Sequence, residues 1–299
     1  MKKPLAPQTP TLRQLELLLS LAGADGMASA GARIGMTPSA TSHALRALET
    51  ALGTALVDRN AQAVELTHAG QQILPHVRDL FAALNLIQAT AAASTGLQSG
   101  MLRIGSFGAS SSLRLLPPLL ERFQERHPGI EVYVTEKPDA EIEQELVERC
   151  IELAVVTLPK PQFDTLPLAV DELVAIVPAQ HPLAQADSVD LRALARYPLI
   201  LTHAGSQDLV ARMFARANVQ PKVTHELSQL LSILEFVARG QGVSIVASLA
   251  LPEQHAGVVV RKITPRTLRR VGLACLNQRR LSPAAAALWR QAQAIKLRR

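Results

Sequence analysis

Aromatic residues make up only 3% of this 299-residue chain. Its core must therefore be aliphatic, and an apolar fraction of 48% is enough to build one. Cysteine is almost absent. Cys150 and Cys275 stand far apart, which excludes a disulfide framework and metal-ligand spacing. Both are read as packing residues, and the usage suits a reducing cytoplasm. Long apolar runs are missing too. Leu249 to Leu251 and Ala284 to Trp289 fall far short of the roughly 20 residues that span a bilayer. The opening "MKKPLAPQTP" has no apolar stretch behind its lysines, so no secretory signal is expected.

Acidic residues are missing from one end. From Arg261 onward there are eleven lysines or arginines and no Asp or Glu. The first seventy residues set Lys2, Lys3, Arg13, Arg33, Arg46 and Arg59 against Glu16, Asp25, Glu49, Asp58 and Glu65. The net charge of +6 therefore resides away from the N-terminal segment, and the basic tail reads as a solvated face. Catalytic signatures are also lacking: no G-x-S-x-G elbow, no phosphate loop and no G-x-G-x-x-G. His68 and His76 share a helical face without a third ligand. No catalytic residue, metal or cofactor is expected.

What is present falls into three stretches. Residues 11 to about 67 read as short helices with tight turns, ending in two short strands around Arg59 to Gln62. Residues 68 to about 95 carry a long helical stripe of Ile73, Val77, Leu80, Phe81, Leu84 and Ile87, interrupted by Pro75. "STGLQSG" then looks like a linker. From residue 101, strands such as "MLRIGS", "IEVYVTE", "IELAVVT", "ELVAIVP", "YPLILT", "GVSIVA" and "RVGLACL" alternate with helices. The pattern predicts an α/β fold with mostly parallel sheets.

The most informative stretch is "TPSATSHALRALE". Thr37 can cap a helix and Pro38 suits its first position, so a helix should run from Pro38 to about Leu52. Thr41, Ala44, Leu45, Leu48 and Leu52 form its apolar stripe. Ser39, Ser42, His43 and Arg46 fall on the other face. Short hydroxyls allow close approach to a polyanion, and Arg46 or His43 can donate to guanine or phosphate. The plain alternative is a surface helix with a small outer face.

A short helix, a turn at Gly35 and this second helix make a helix-turn-helix. With Leu12-Arg13-Gln14-Leu15, "SAGARIGMTPSATSHALRALETALGTALVDR" and "VELTHAGQQILP", the block resembles the LysR-type transcriptional regulators. Family members usually have two alanines at Ala30-Gly31 and a glutamine at Pro38. They tend to have glycine near Arg149 and aspartate at Glu152. The resemblance implies a winged helix-turn-helix over 1–67, a linker and dimerisation helix over 68–97, and an effector-binding domain over 98–299. That domain would have two lobes like periplasmic binding proteins, 101–163 plus 267–299 and 164–266. Thr37, Pro38, Ser39, Ser42, His43 and Arg46 would then meet promoter DNA, with Arg59 and Thr67 at its backbone. The resemblance also implies a homotetramer built on a dimer, contact with RNA polymerase, and no membrane.

Ligands of α/β sheets bind beyond the carboxyl ends of strands. "GSFGASSS", "AVVT" and "LTHAGSQD" lie there and offer hydroxyls and helix N-termini, which favour a carboxylate or other oxyanion. The candidates are Ser106, Ser110, Thr157, Thr202, His203 and Gln241. Serines in such places also cap helices. A second reading is a solute-binding protein of a transport system that binds a small anion. The helix-turn-helix argues against it.

Overall fold

The computed structural model describes residues 9–58, 64–93, 100–203, 205–253 and 255–296. Two compact units divide the chain, residues 1–87 and 88–299.

In the first unit, α1 (Leu12–Leu21), α2 (Met27–Arg33) and α3 (Pro38–Leu52) precede a two-stranded wing. The wing pairs β1 (Val57–Asp58) antiparallel with β2 (Glu65–Leu66) and leads into α4 (His68–Ala93). Arg59, with residues 60–63, lies outside the described residues. A capping box starts α1: Gln14 N–H donates to the Thr11 hydroxyl at 3.3 Å, and Thr11 N–H donates to the Gln14 side chain at 2.8 Å. Leucines at helical spacing face inward, and each contributes about 1.5–3 kcal/mol by burial. Leu17, Leu21, Ala30, Leu45 and Val57 form one cluster. Leu18, Leu48 and Leu56 form another with Leu74 and Val77 of α4. Glu49, a buried carboxylate, accepts the Leu56 N–H at 2.9 Å and so fixes the start of the wing.

The second unit runs β3 (Gly100–Ser106), α5 (Leu116–Arg126), β4 (Ile130–Glu136), α6 (Asp139–Val147), β5 (Leu153–Leu158) and β6 (Asp164–Pro178). Next come β7 (Ser188–Asp190), α7 (Leu191–Leu194), β8 (Pro198–Thr202), α8 (Gln207–Arg216), β9 (Lys222–Leu227) and α9 (Leu230–Ala238). It closes with β10 (Val243–Ala247), β11 (Val258–Thr264), β12 (Leu268–Cys275) and α10 (Pro283–Lys296). The strand order is β4-β3-β5-β12-β6-β10-β8-β9, with β11 on β6 and β7.

This sheet is mixed, not mostly parallel. The outer strands of each half are parallel, but β12 and β6 run antiparallel to their neighbours because they carry the chain between halves. The lobe boundary also differs from the one expected at residue 164. Residues 164–172 of β6 pair with β12, and from Leu173 the same strand pairs with β10. One long strand thus belongs to both lobes. The sequence conceals this because Pro167 interrupts the strand pattern. The register shifts between Val271 and Gly272, opposite Pro167, so the proline sits at a bulge. Gly272 allows the close approach there, since a Cβ would stand 2.7 Å from the Leu166 carbonyl oxygen.

Leu102, Phe123, Leu153, Leu273 and Trp289 pack the first lobe. Leu173, Leu199, Val210, Phe214 and Ile245 pack the second.

Candidate functional site

On α3 the chain separates two faces. The Thr37 hydroxyl accepts the Ala40 N–H at 3.3 Å, Pro38 occupies the first turn, and Gly53 ends the helix at φ 70. Thr41, Ala44, Leu45, Leu48 and Glu49 are buried. Thr37, Pro38, Ser39, His43 and Arg46 are exposed, and Ser42 is half-buried. Among the described residues, the side chains of Ser39, Ser42, His43 and Arg46 have no hydrogen-bond or ion-pair partner. Thr67 is different. Its hydroxyl donates to the Ala55 carbonyl at 2.8 Å and accepts the Gly70 N–H at 3.1 Å, so it caps α4 and ties that helix to the wing.

Within the second unit, a cavity of about 510 Å³ opens at the carboxyl ends of β3, β4, β8 and β10. Phe107, Ser110, Ser112, Glu136 and Lys137 line it from one lobe; Thr202, His203, Ser206, Leu231 and Val246 line it from the other. Arg269, buried between them, organises the polar wall. Its Nε and Nη2 donate to the two oxygens of Asp171 at 2.9 and 2.8 Å. Nη2 also donates to the Ser110 hydroxyl at 2.6 Å, and Nη1 donates to the Ser206 hydroxyl at 3.2 Å. The Phe107 ring lies 5.5 Å from the guanidinium carbon. Each serine oxygen accepts one bond from Arg269, and its O–H remains available as a donor. His203 spans Gln207 at 3.0 Å and Glu226 at 2.8 Å. Lys137 pairs with Glu145 at 2.6 Å.

Of the six ligand residues expected from sequence, Ser110, Thr202 and His203 line this cavity. Ser106, Thr157 and Gln241 do not. Ser106 is fully buried beneath the wall, 2.7 Å from the Ser112 hydroxyl. Thr157 donates to the Gly205 carbonyl at 3.0 Å, joining one lobe to the other. Gln241 is exposed at the amino end of β10, and the cavity lies at the carboxyl end. Sequence reasoning missed Arg269, Asp171 and Ser206. Nothing local marks Arg269 among the arginines around it, and its partner lies on a distant strand.

Asp139 stands in the first turn of α6, with Oδ1 buried and without a hydrogen-bond partner. Burial raises its pKa to about 6; Lys160 and Arg269 pull it back, whereas Glu143 and Asp208 push it further. Cys275 is free and buried, and burial, with help from Asp164, pushes its thiol up to about 12. Cys150 is exposed and forms no disulfide. Among the described residues no His, Cys, Asp and Glu cluster suits a metal, and no helix is long and apolar enough to cross a membrane.

Two family models match the chain. The bacterial regulatory helix-turn-helix protein model of the lysR family matches residues 12–71, and the LysR substrate binding domain matches residues 95–295. The helix-turn-helix transcriptional regulator YfeR of Shigella flexneri is 30% identical over 93% of this chain and 92% of its own. A full-length OxyR variant from Pseudomonas aeruginosa shares the fold, with a TM-score of 0.73 at 24% identity over 97% of this chain and 96% of that one. The effector binding domain of QuiR in complex with shikimate is 29% identical, covering 65% of this chain and 96% of that one, with a TM-score of 0.59.

Proposed function

Since the chain belongs to the LysR family of bacterial regulatory helix-turn-helix proteins, we propose that it reads promoter DNA with the exposed face of α3 and answers to a small anionic co-inducer held between its lobes. It is a transcriptional regulator with an effector-binding domain. One observation carries the DNA assignment: Ser39, Ser42, His43 and Arg46 share one face of a capped helix, and none has a partner among the described residues. Serines at the positive end of a helix suit phosphate, and Arg46 suits a guanine edge. Arg59 and Thr67 complete the interface, Thr67 by holding the wing in place. The salt-sensitive phosphate component supplies affinity and the base contacts supply sequence preference.

The co-inducer is a small carboxylate or related oxyanion. Its support is the pair of hydroxyl donors, Ser110 and Ser206, polarised by Arg269 at the cavity wall. Shikimate, a hydroxylated carboxylate, fits this donor chemistry and is named with the related QuiR domain. Asp171 already neutralises Arg269, so hydrogen bonding rather than bare charge selects the ligand. Binding shifts the lobes only as far as the ligand's affinity differs between their arrangements.

Dimerisation follows from α4. Leu80 is 39% and Ile87 66% exposed on its apolar stripe, which a second copy would cover. A dimer of winged helices matches a near-palindromic site. Two dimers make the tetramer, which works in the cytoplasm and engages RNA polymerase. The transport reading fails to account for α1 to α3.

A thermal-shift comparison of small hydroxylated carboxylates with their amides tests the ligand assignment. The acids should raise the unfolding temperature, the amides should not, and Ser110→Ala should abolish the difference. Equal shifts from acids and amides would overturn the anionic reading.

A further inference from the structure

A second cavity, of about 310 Å³, lies between α7, α8 and the segment leading into β12. Its apolar walls come from Leu191, Leu209, Met213 and Pro265. Three arginines, Arg212, Arg216 and Arg266, line it, and no acidic residue is among its lining residues. Arg212 spends only Nε, on the Asp208 backbone carbonyl at 3.1 Å. Arg216 has no partner among the described residues. Arg266 is held by Glu172 at 2.5 Å through Nε, leaving its terminal nitrogens. Arg212 and Arg216 are four positions apart on one helix face, where like charges repel. The negative end of α8 favours Arg216 alone. It does not explain why a second helical arginine and a third from the crossover meet over an apolar floor.

We propose that this cavity is a second ligand site, taking an organic oxyanion with a compact apolar body, such as an aryl phosphate or aryl carboxylate. The apolar part rests on Met213 and Leu209, and the terminal nitrogens of the three arginines grip the anion, Arg216 by a planar fork. Both segments that form the site lead straight to the interlobe cavity. Ser206 begins α8, and Thr267 stands two residues before Arg269. A ligand here therefore touches the elements that present the first site. By linkage, any coupling acts equally in both directions.

Met213 lines the cavity and reports on it directly. The test follows the ¹³C-methyl resonances of methionine in the full chain during titration with phenyl phosphate, with benzyl alcohol as the neutral control; Met213→Leu assigns the signal. The site predicts a saturable shift of Met213 with phenyl phosphate, none with benzyl alcohol, and an unmoved Met101. Arg212→Gln with Arg216→Gln should abolish the shift, and Arg266→Gln alone should weaken binding severalfold. No saturable Met213 shift would overturn the proposal. So would a shift that survives in the double variant or appears equally with the alcohol. The outcome does not depend on whether α3 binds DNA.

Discussion

Arg269 and Asp171 face each other across the β12–β6 ladder and join in a two-pronged ion pair, with side chains 2% and 5% exposed. Asp171 is further held by the Leu249 N–H at 3.1 Å. Removing one member strands the other in a dry site. Asp171→Ala should destabilise the effector unit by about 3–5 kcal/mol in urea unfolding. Replacing both, as Arg269→Met with Asp171→Leu, should recover much of that loss while abolishing the co-inducer response. A single variant as stable as the parent would refute the buried pair.

Gly31 and Thr41 interlock where α2 meets α3. A Cβ on Gly31 would stand 2.0 Å from the Thr41 Oγ1, which itself donates to the Thr37 carbonyl at 2.9 Å. An alanine at this position is thus opposed by the threonine packed against it. Gly31→Ala should destabilise the first unit by about 1–3 kcal/mol. Adding Thr41→Ala should restore most of it, a non-additivity that a double-mutant cycle measures.

Arg149 adopts φ 58 after α6, a left-handed conformation that disfavours side chains. Arg149→Gly should raise stability by about 1 kcal/mol, or about 2–4 °C in unfolding temperature. An unchanged or lower midpoint would speak against strain here.

Asp139 carries a pH signature. Its folded pKa is raised to about 6 from an ordinary 3.8, mainly by burial. Above that value the folded state holds a buried, unpaired charge. As pH falls through 6 towards 3.8, the folded state takes up a proton that the unfolded chain does not, and this penalty disappears. Asp139→Asn should therefore stabilise the protein near neutral pH, on the order of 1–3 kcal/mol. The advantage should shrink as the medium is acidified. An advantage independent of pH would contradict the assignment.

The local features were legible in the sequence. Thr37-Pro38 marked the start of α3, and the leucine periodicity marked its buried face. The strand-end rule led to Ser110, Thr202 and His203. Ser106 and Thr157 lie outside the cavity lining, Ser106 buried against Ser112 and Thr157 bonded to the Gly205 carbonyl. Gln241 precedes the amino end of β10, away from this cavity. Arg269 was invisible because its significance comes from strand pairing with Asp171, which no local pattern reveals. Pro167 hid half of β6 in the same way, since a bulge tolerates what an unbroken strand would not.

Gel retardation of the protein's own upstream intergenic DNA, over a range of salt, with the parent chain and Arg46→Ala, decides whether α3 reads DNA. A specific complex that weakens steeply as salt rises is expected. Arg46→Ala should lose roughly tenfold or more in specific affinity, with its thermal response to the co-inducer intact. No specific complex, or equal binding by Arg46→Ala, would contradict the reading of α3.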